Sequence, residues 1–246
     1  MAASQKTVLV IDNSIRKILP TDSSEGANRG IGLTFIKTLK DRGWSTIGSI
    51  RPETCDDPSV EEVRTTRSLS ATGSRIVQID YKNEETIREA AAELKDVKLD
   101  MLINCAVIAV QPHPWQTHGK DDLMERFEVM TVGPFLAIKH FLPNILRNGG
   151  GKIVNISSSS GSIAGNDDER FVGYKMAKAA LNQLSVTLAN GFKSNGYPIS
   201  IVAFQPGYIK TKRTSYEGTI DIKESVTGMV DLTETMTPEG SPYVLS

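Results

Sequence analysis

Tyr174 and Lys178 stand four positions apart in Tyr174-Lys-Met-Ala-Lys178, so on a helix they project from one face, one turn apart. That pair can do proton chemistry. A phenol with a reference pKa of about 10 exchanges protons poorly near neutrality, and an adjacent ammonium stabilises the phenolate. A second feature lies far upstream, where Gly26-Ala-Asn-Arg-Gly30-Ile-Gly32 opens an apolar periodic stretch. Glycines in such a turn let the backbone approach a pyrophosphate while helix N–H groups point at it. Either feature alone is common, since tight turns use glycine and a YxxxK spacing recurs by chance.

The elements that must position these residues alternate. Short β-branched runs occur at Thr7–Ile11, Ser45–Ile50, Arg75–Ile79, Leu99–Asn104, Lys152–Ile156 and Ile199–Phe204. Between them, Ile31, Phe35 and Leu39 share a helix face, as do Ile87, Ala91 and Leu94, and Leu181, Leu184 and Leu188. Gly43 stands where a C-terminal glycine ends the first helix. This rhythm predicts an α/β fold, a doubly wound parallel sheet with helices on both faces, in one domain over residues 1–246. Two stretches break it: Asp12–Glu25, and the polar Pro52–Ser74 with a weak helical pattern around Val60–Ser68.

Composition bounds the function. The 246 residues are 39% hydrophobic and carry 28 basic against 29 acidic side chains, a net charge of −1. A nucleic-acid binder needs a phosphate-neutralising excess, so none is expected here. Two cysteines, Cys55 and Cys105, cannot form a disulfide framework. No run approaches the roughly 18 apolar residues of a membrane span, and the opening apolar run is short for a signal peptide. A cytoplasmic protein without a membrane partner is the expectation.

Taken in order, Gly26-x-x-x-Gly30-x-Gly32, Asn104-Cys-Ala106, Tyr174-x-x-x-Lys178 and Pro206-Gly207 resemble the short-chain dehydrogenase/reductase superfamily over nearly the whole chain. Gly133-Pro-Phe, Ile153-Val-Asn-Ile-Ser-Ser158 and Pro206-Gly-Tyr-Ile-Lys-Thr211 look closest to its carbonyl-reductase-like, C-factor-like single-domain group. The resemblance implies a Rossmann-type fold and an oxidoreductase that interconverts a small-molecule carbonyl and an alcohol. It assigns catalysis to Ser158, which would bind the carbonyl oxygen, Tyr174, the proton donor or acceptor, and Lys178, which would tune Tyr174 and hold the nicotinamide ribose. Assembly as a homodimer or homotetramer is likewise what the resemblance implies.

The same resemblance counts Gly26, Asn28, Arg29, Gly30, Ile31 and Gly32 among the cofactor-binding residues and places Asp80 at the adenine. Asn104 and Ala106 would line the adenosine ribose, and Pro206, Gly207, Ile209 and Thr211 the nicotinamide end. Lys139 matches a frequently basic position of the group. A dinucleotide site usually has an acid about 20 residues past the glycines to hold the ribose 2′-hydroxyl. Arg51 stands at the end of the second strand instead, and a guanidinium can hold a 2′-phosphate with paired hydrogen bonds. With Arg29 it favours NADP(H).

Departures from the pattern are as specific. Asp12–Glu25 is inserted where the family runs from strand directly into Thr-Gly, and Glu25 replaces the threonine. Closing such a loop costs only about 2 kcal/mol, so the fold tolerates it. Three readings stand: a loop bulging harmlessly from the surface, a distorted phosphate cradle, or sequence foreign to a working gene product. Val107 replaces a glycine, and Met130 stands where the family commonly has an asparagine holding a proton-relay water. The chain also stops early, so Tyr243–Leu245 is expected to pair only briefly. Together these features support an alternative, a degenerate relative with impaired cofactor binding that acts as a binding or regulatory protein, or has no function.

Other residues are less telling. His113, His118 and His140 lack partners at metal-ligand spacing and read as surface or loop residues, so no metal is expected. Trp115 falls after the fourth strand, with contact to substrate or plain packing both open. Lys212–Lys223 is where the family places a substrate lid, and Glu224–Met236 has a helical pattern.

Overall fold

The computed structural model describes residues 5–12, 30–52, 68–108, 114–210, 217–238 and 244–245. Seven parallel strands form one sheet: β1 (Thr7–Ile11), β2 (Ser45–Ile50), β3 (Arg75–Gln78), β4 (Met101–Asn104), β5 (Gly151–Ile156), β6 (Ile199–Phe204) and β7 (Val244–Leu245). Their order, β3-β2-β1-β4-β5-β6-β7, reverses direction between β1 and β4. In such sheets ligands bind in the crevice beyond the carboxyl ends of the strands at that reversal. The first six strands match the β-branched runs to within two residues. Among the described residues β7 pairs Val244 with Ala203 and Leu245 with Phe204, and Tyr243 lies outside them.

The strands read as nearly unbroken apolar runs because both faces are covered. Val8 and Val10 of β1 face one core with Phe35, Ile36, Leu39, Val226 and Val230. Leu9 and Ile11 face the other with Ile87, Phe141 and Ala177. The first face is covered by α1 (Gly30–Asp41) and α6 (Ile222–Thr235), which follows the expected helical pattern there. The second is covered by α2 (Glu84–Glu93), α4 (Gly133–Arg147) and α5 (Val172–Ser194). This is the doubly wound, Rossmann-type arrangement. Gly43, two residues past α1, takes φ +83°, and Trp44 N–H returns to the Leu39 carbonyl at 3.1 Å, closing the helix.

A short helix, α3 (Lys120–Phe127), runs through a π-helical turn at Glu128–Val132 into α4. By length and composition Lys120–Arg147 is apolar enough to cross a membrane, but its apolar side packs into the core. Gly133 at the junction lets the buried Tyr81 ring pack against the backbone, since a Cβ there would lie 2.3 Å from the ring. Residues 53–67, including most of the Val60–Ser68 pattern, lie outside the described residues, as does the insertion beyond Asp12.

Candidate active site

The buried face of α5 carries Gly173, Tyr174, Ala177, Lys178, Leu181 and Ser185, a stripe at helical spacing, so the fold that buries the helix also delivers Tyr174 and Lys178 inward. Gly173 allows α3 to approach, because a Cβ there would meet Arg126 Cδ at 2.7 Å. The π turn is tied to α5 by Thr131 Oγ1, which donates to the Ala177 carbonyl at 2.9 Å. Lys178 is 2% exposed, and its Nζ donates to the Ile156 carbonyl at the end of β5 at 2.6 Å. The same Nζ lies 5.7 Å from the Tyr174 ring centroid. Ser158, two residues past β5, opens a 3₁₀ turn over Ser159–Gly161 and accepts from Ser160 N–H at 3.1 Å.

Ser158, Tyr174 and Lys178 line one cleft of about 410 Å³ at the carboxyl ends of the strands, together with Ile31, Pro206 and Gly207. Asp12, Cys105, Val107, Phe171, Gln205 and Tyr208 also line it. Gly207 takes φ +82°, and a Cβ there would meet Ile220 Cδ1 at 2.4 Å, so the turn after β6 needs glycine twice over. Gly30 opens α1 with φ +53°, also left-handed.

Other expected positions fall around this cleft without lining it. Gly32 is buried in α1, and Arg51 follows the last residue of β2 and is partly buried. Ala106 is buried one residue past Cys105. Asp80 turns the chain after β3, its Oδ1 accepting from Lys82 N–H at 2.9 Å. Ile209 is buried and bridged to Ile220. Gly26, Asn28, Arg29 and Thr211 lie outside the described residues.

Lys139 sits elsewhere. Its ammonium pairs with Glu84 at 3.0 Å on the outer side of α4, where His140 Nε2 meets the same carboxylate at 2.8 Å. The His140 ring, and after it the Lys139 ammonium, hold the Glu84 carboxyl below its usual range. Trp115, in a 3₁₀ turn at Trp115–Thr117, is 55% exposed and outside the cleft. His118 departs from the surface reading: its side chain is 7% exposed and its Nδ1 lies 2.5 Å from Asp122, which also holds the buried Arg126. No trio of metal-ligating side chains forms among the described residues.

A buried polar chain beneath the cleft has no counterpart in the sequence reading. Tyr81 OH donates to Asn104 Oδ1 at 2.6 Å, Asn104 Nδ2 to Asn155 Oδ1 at 2.8 Å, and Asn155 Nδ2 to Ser185 Oγ at 2.9 Å. Ser185 in turn donates to the Leu181 carbonyl at 2.8 Å. One N–H and the oxygen of the Asn104 amide are therefore engaged within the protein. Burial, and then the nearby Asp12 and Cys105, push the Tyr81 phenol well above its usual range, so it stays a neutral donor. The asparagines at or next to the ends of β4 and β5 were the available signal, but their partners are distant in sequence.

The loop entering α5 is clamped. Lys175 Nζ meets Asp168 Oδ1 at 2.7 Å, and Arg170 meets Oδ2 at 2.9 Å. Phe171, next along, is held at φ +60°, a left-handed conformation that costs a non-glycine residue about 1–2 kcal/mol. Met130 is fully buried in the π turn and has no polar atom with which to orient a water.

This combination of reversed parallel sheet, glycine-opened α1 and Ser–Tyr–Lys cleft has relatives. A short chain dehydrogenase signature matches residues 25–219. The chain is 27% identical over 227 residues to 1-hydroxy-2-glutathionyl-2-methyl-3-butene dehydrogenase of Rhodococcus sp. (strain AD45), covering 88% of this chain and 91% of that one. It is 32% identical over 193 residues to galactitol 2-dehydrogenase (L-tagatose-forming) of Cereibacter sphaeroides, covering 77% and 71%. For three further curated relatives the match spans 57% to 62% of the relative's length. Among solved structures, NADPH-bound carbonyl reductase from chicken fatty liver superposes with a TM-score of 0.77 at 26% identity, covering 96% of this chain and 94% of that one. The chain belongs to the short chain dehydrogenase family, a family of oxidoreductases.

Proposed function

We propose that this protein is an NADP(H)-dependent reductase or dehydrogenase interconverting a small-molecule carbonyl and an alcohol in the cytoplasm. The observation that carries this reading is the convergence of Ser158, Tyr174 and Lys178 in one cleft beside the β1/β4 reversal. In it, the Ser158 hydroxyl donates to the carbonyl oxygen and fixes it near Tyr174, which delivers its proton to that oxygen or removes it in the reverse direction. Lys178, anchored on the Ile156 carbonyl, sets a positive charge beside the phenol. When bound, the nicotinamide supplies or accepts the hydride at the carbonyl carbon.

Gly30 with its positive φ, Ile31 on the cleft wall and the bare turn at Gly207 are of a kind that suits close approach of a dinucleotide. Arg51, with Arg29, would hold a 2′-phosphate, and the chicken reductase was solved with NADPH. Reduction of aldehydes and ketones by purified protein with NADPH tests the reading. Saturable NADPH binding without turnover of any member of a broad carbonyl panel would refute it.

A buried carboxylate favours the second reading, a relative with impaired cofactor binding. Asp12, 5% exposed, lines the cleft at the start of the insertion and would repel a pyrophosphate. Replacing Asp12–Glu25 with one threonine decides between them. Tenfold or greater tightening for NADPH supports impairment.

A further inference from the structure

Gln205 is a cleft residue with nothing to bind. β5 and β6 run in parallel register with Ile156 opposite Phe204, and Ser157 N–H donates to the Phe204 carbonyl at 2.7 Å. One position on, Ser157 falls opposite Gln205, and Gln205 lines the same cleft as Ser158 and Tyr174. The Gln205 amide oxygen is buried and accepts no hydrogen bond among the described residues. Ser157 Oγ–H, at the neighbouring strand end, donates instead to Asn182 Oδ1 at 2.5 Å. Gln205 also lines a second, polar hollow of about 490 Å³ behind the serine turn, which Asn166, Asp168 and Lys175 share.

A buried amide oxygen left unpaired is costly, and an amide oxygen can only accept. Ser158 and Tyr174 offer donors to a carbonyl oxygen, while Gln205 offers an acceptor to the same cleft. We propose that Gln205 receives a hydrogen bond from a hydroxyl group adjacent to the reacting carbonyl, so that the site selects hydroxylated ketones and, in reverse, vicinal diols. This inference rests on the reductase reading and names its substrate class. A site built to bind a hydroxyl rejects the analogue lacking it far more strongly than an apolar pocket rejects a lost methylene.

The experiment compares 1-hydroxybutan-2-one with butan-2-one, using NADPH and the full chain. Expected is a kcat/KM ratio of at least tenfold in favour of the hydroxyketone, falling below threefold in Gln205→Met. Gln205→Leu gives the same readout should the methionine variant not fold. Equal turnover of the two ketones by the unaltered protein overturns the inference and leaves the reductase reading intact, as does an unchanged ratio in the folded variants. If neither ketone is reduced, the reductase reading falls for this class, and Gln205 is tested by thermal stabilisation instead. Stabilisation by butane-1,2-diol over butan-2-ol that vanishes in the variants supports its role, and equal effects of the two alcohols refute it.

Discussion

Asn104 and Asn155 stand opposite one another in the register of β4 and β5, and Nδ2 of the first donates to Oδ1 of the second at 2.8 Å. That bond ties β4 to β5 close to their carboxyl ends. Through Tyr81 at one end and Ser185 at the other, it couples the turn after β3 to the helix carrying Tyr174 and Lys178. A buried chain of this kind rigidifies when fully satisfied and is costly when broken.

Asn104→Ala strands the Tyr81 hydroxyl and one oxygen of Asn155, each worth about 1–3 kcal/mol when left unpaired. Urea denaturation is expected to show a lower midpoint with unchanged slope. The double variant with Tyr81→Phe is expected to lose less than the two singles added, because they share one hydrogen bond. Strict additivity would show that the chain does not act as a unit.

Tyr174→Phe removes the proton and keeps the ring. Turnover of a carbonyl substrate is expected to fall by about 10²–10⁴-fold. NADPH affinity, read by cofactor fluorescence, is expected to move less than threefold. Comparable loss of both would assign Tyr174 to binding.

Arg51→Glu reverses the charge at the end of β2. The NADPH dissociation constant is expected to rise at least tenfold while that for NADH changes little, since only NADPH carries the 2′-phosphate. Equal loss for both cofactors would remove Arg51 from the phosphate site.

Acid is expected to loosen the loop before α5. Lys175 first, and then the side chain and backbone of Arg170, hold the Asp168 carboxyl well below its usual range. A carboxyl depressed on folding adds stability that is present above its unfolded pKa and is lost as pH falls toward the folded one. The contribution is thus complete at neutrality and declines below about pH 4. Asp168 is 29% exposed, so the effect is modest and weakens with salt. Proteolysis within residues 162–170 at pH 3 and pH 6 reads it, and Asp168→Asn should abolish the difference. Persistence of the difference in that variant would place the sensitivity elsewhere.

The strands were legible because β-branched runs buried on both faces carry their own signature, and Tyr174 and Lys178 because helical spacing places them on one face. The i, i+4 spacing of His118 and Asp122 was legible too, yet a histidine in a polar stretch reads as exposed until α3 is seen packing on Gly173. Lys139 illustrates the opposite limit. A basic helix residue chooses among acids by tertiary geometry, and Glu84, distant in sequence, lay within reach. The left-handed Phe171 has no sequence mark at all, since phenylalanine is disfavoured there and only the surrounding clamp holds it.

Ile209 and Ile220 pair as a single parallel bridge, with Lys210 N–H donating to the Ile220 carbonyl at 3.0 Å and Gly218 pressed against the Ile209 backbone. The bridge thereby holds the chain on either side of residues 211–216 together, as a drawstring holds the neck of a purse. Changes in the sequence between the two isoleucines are therefore expected to leave Pro206, Gly207 and the end of β6 in place. A graft there is expected to retune substrate choice while leaving the proton chemistry of Tyr174 in place.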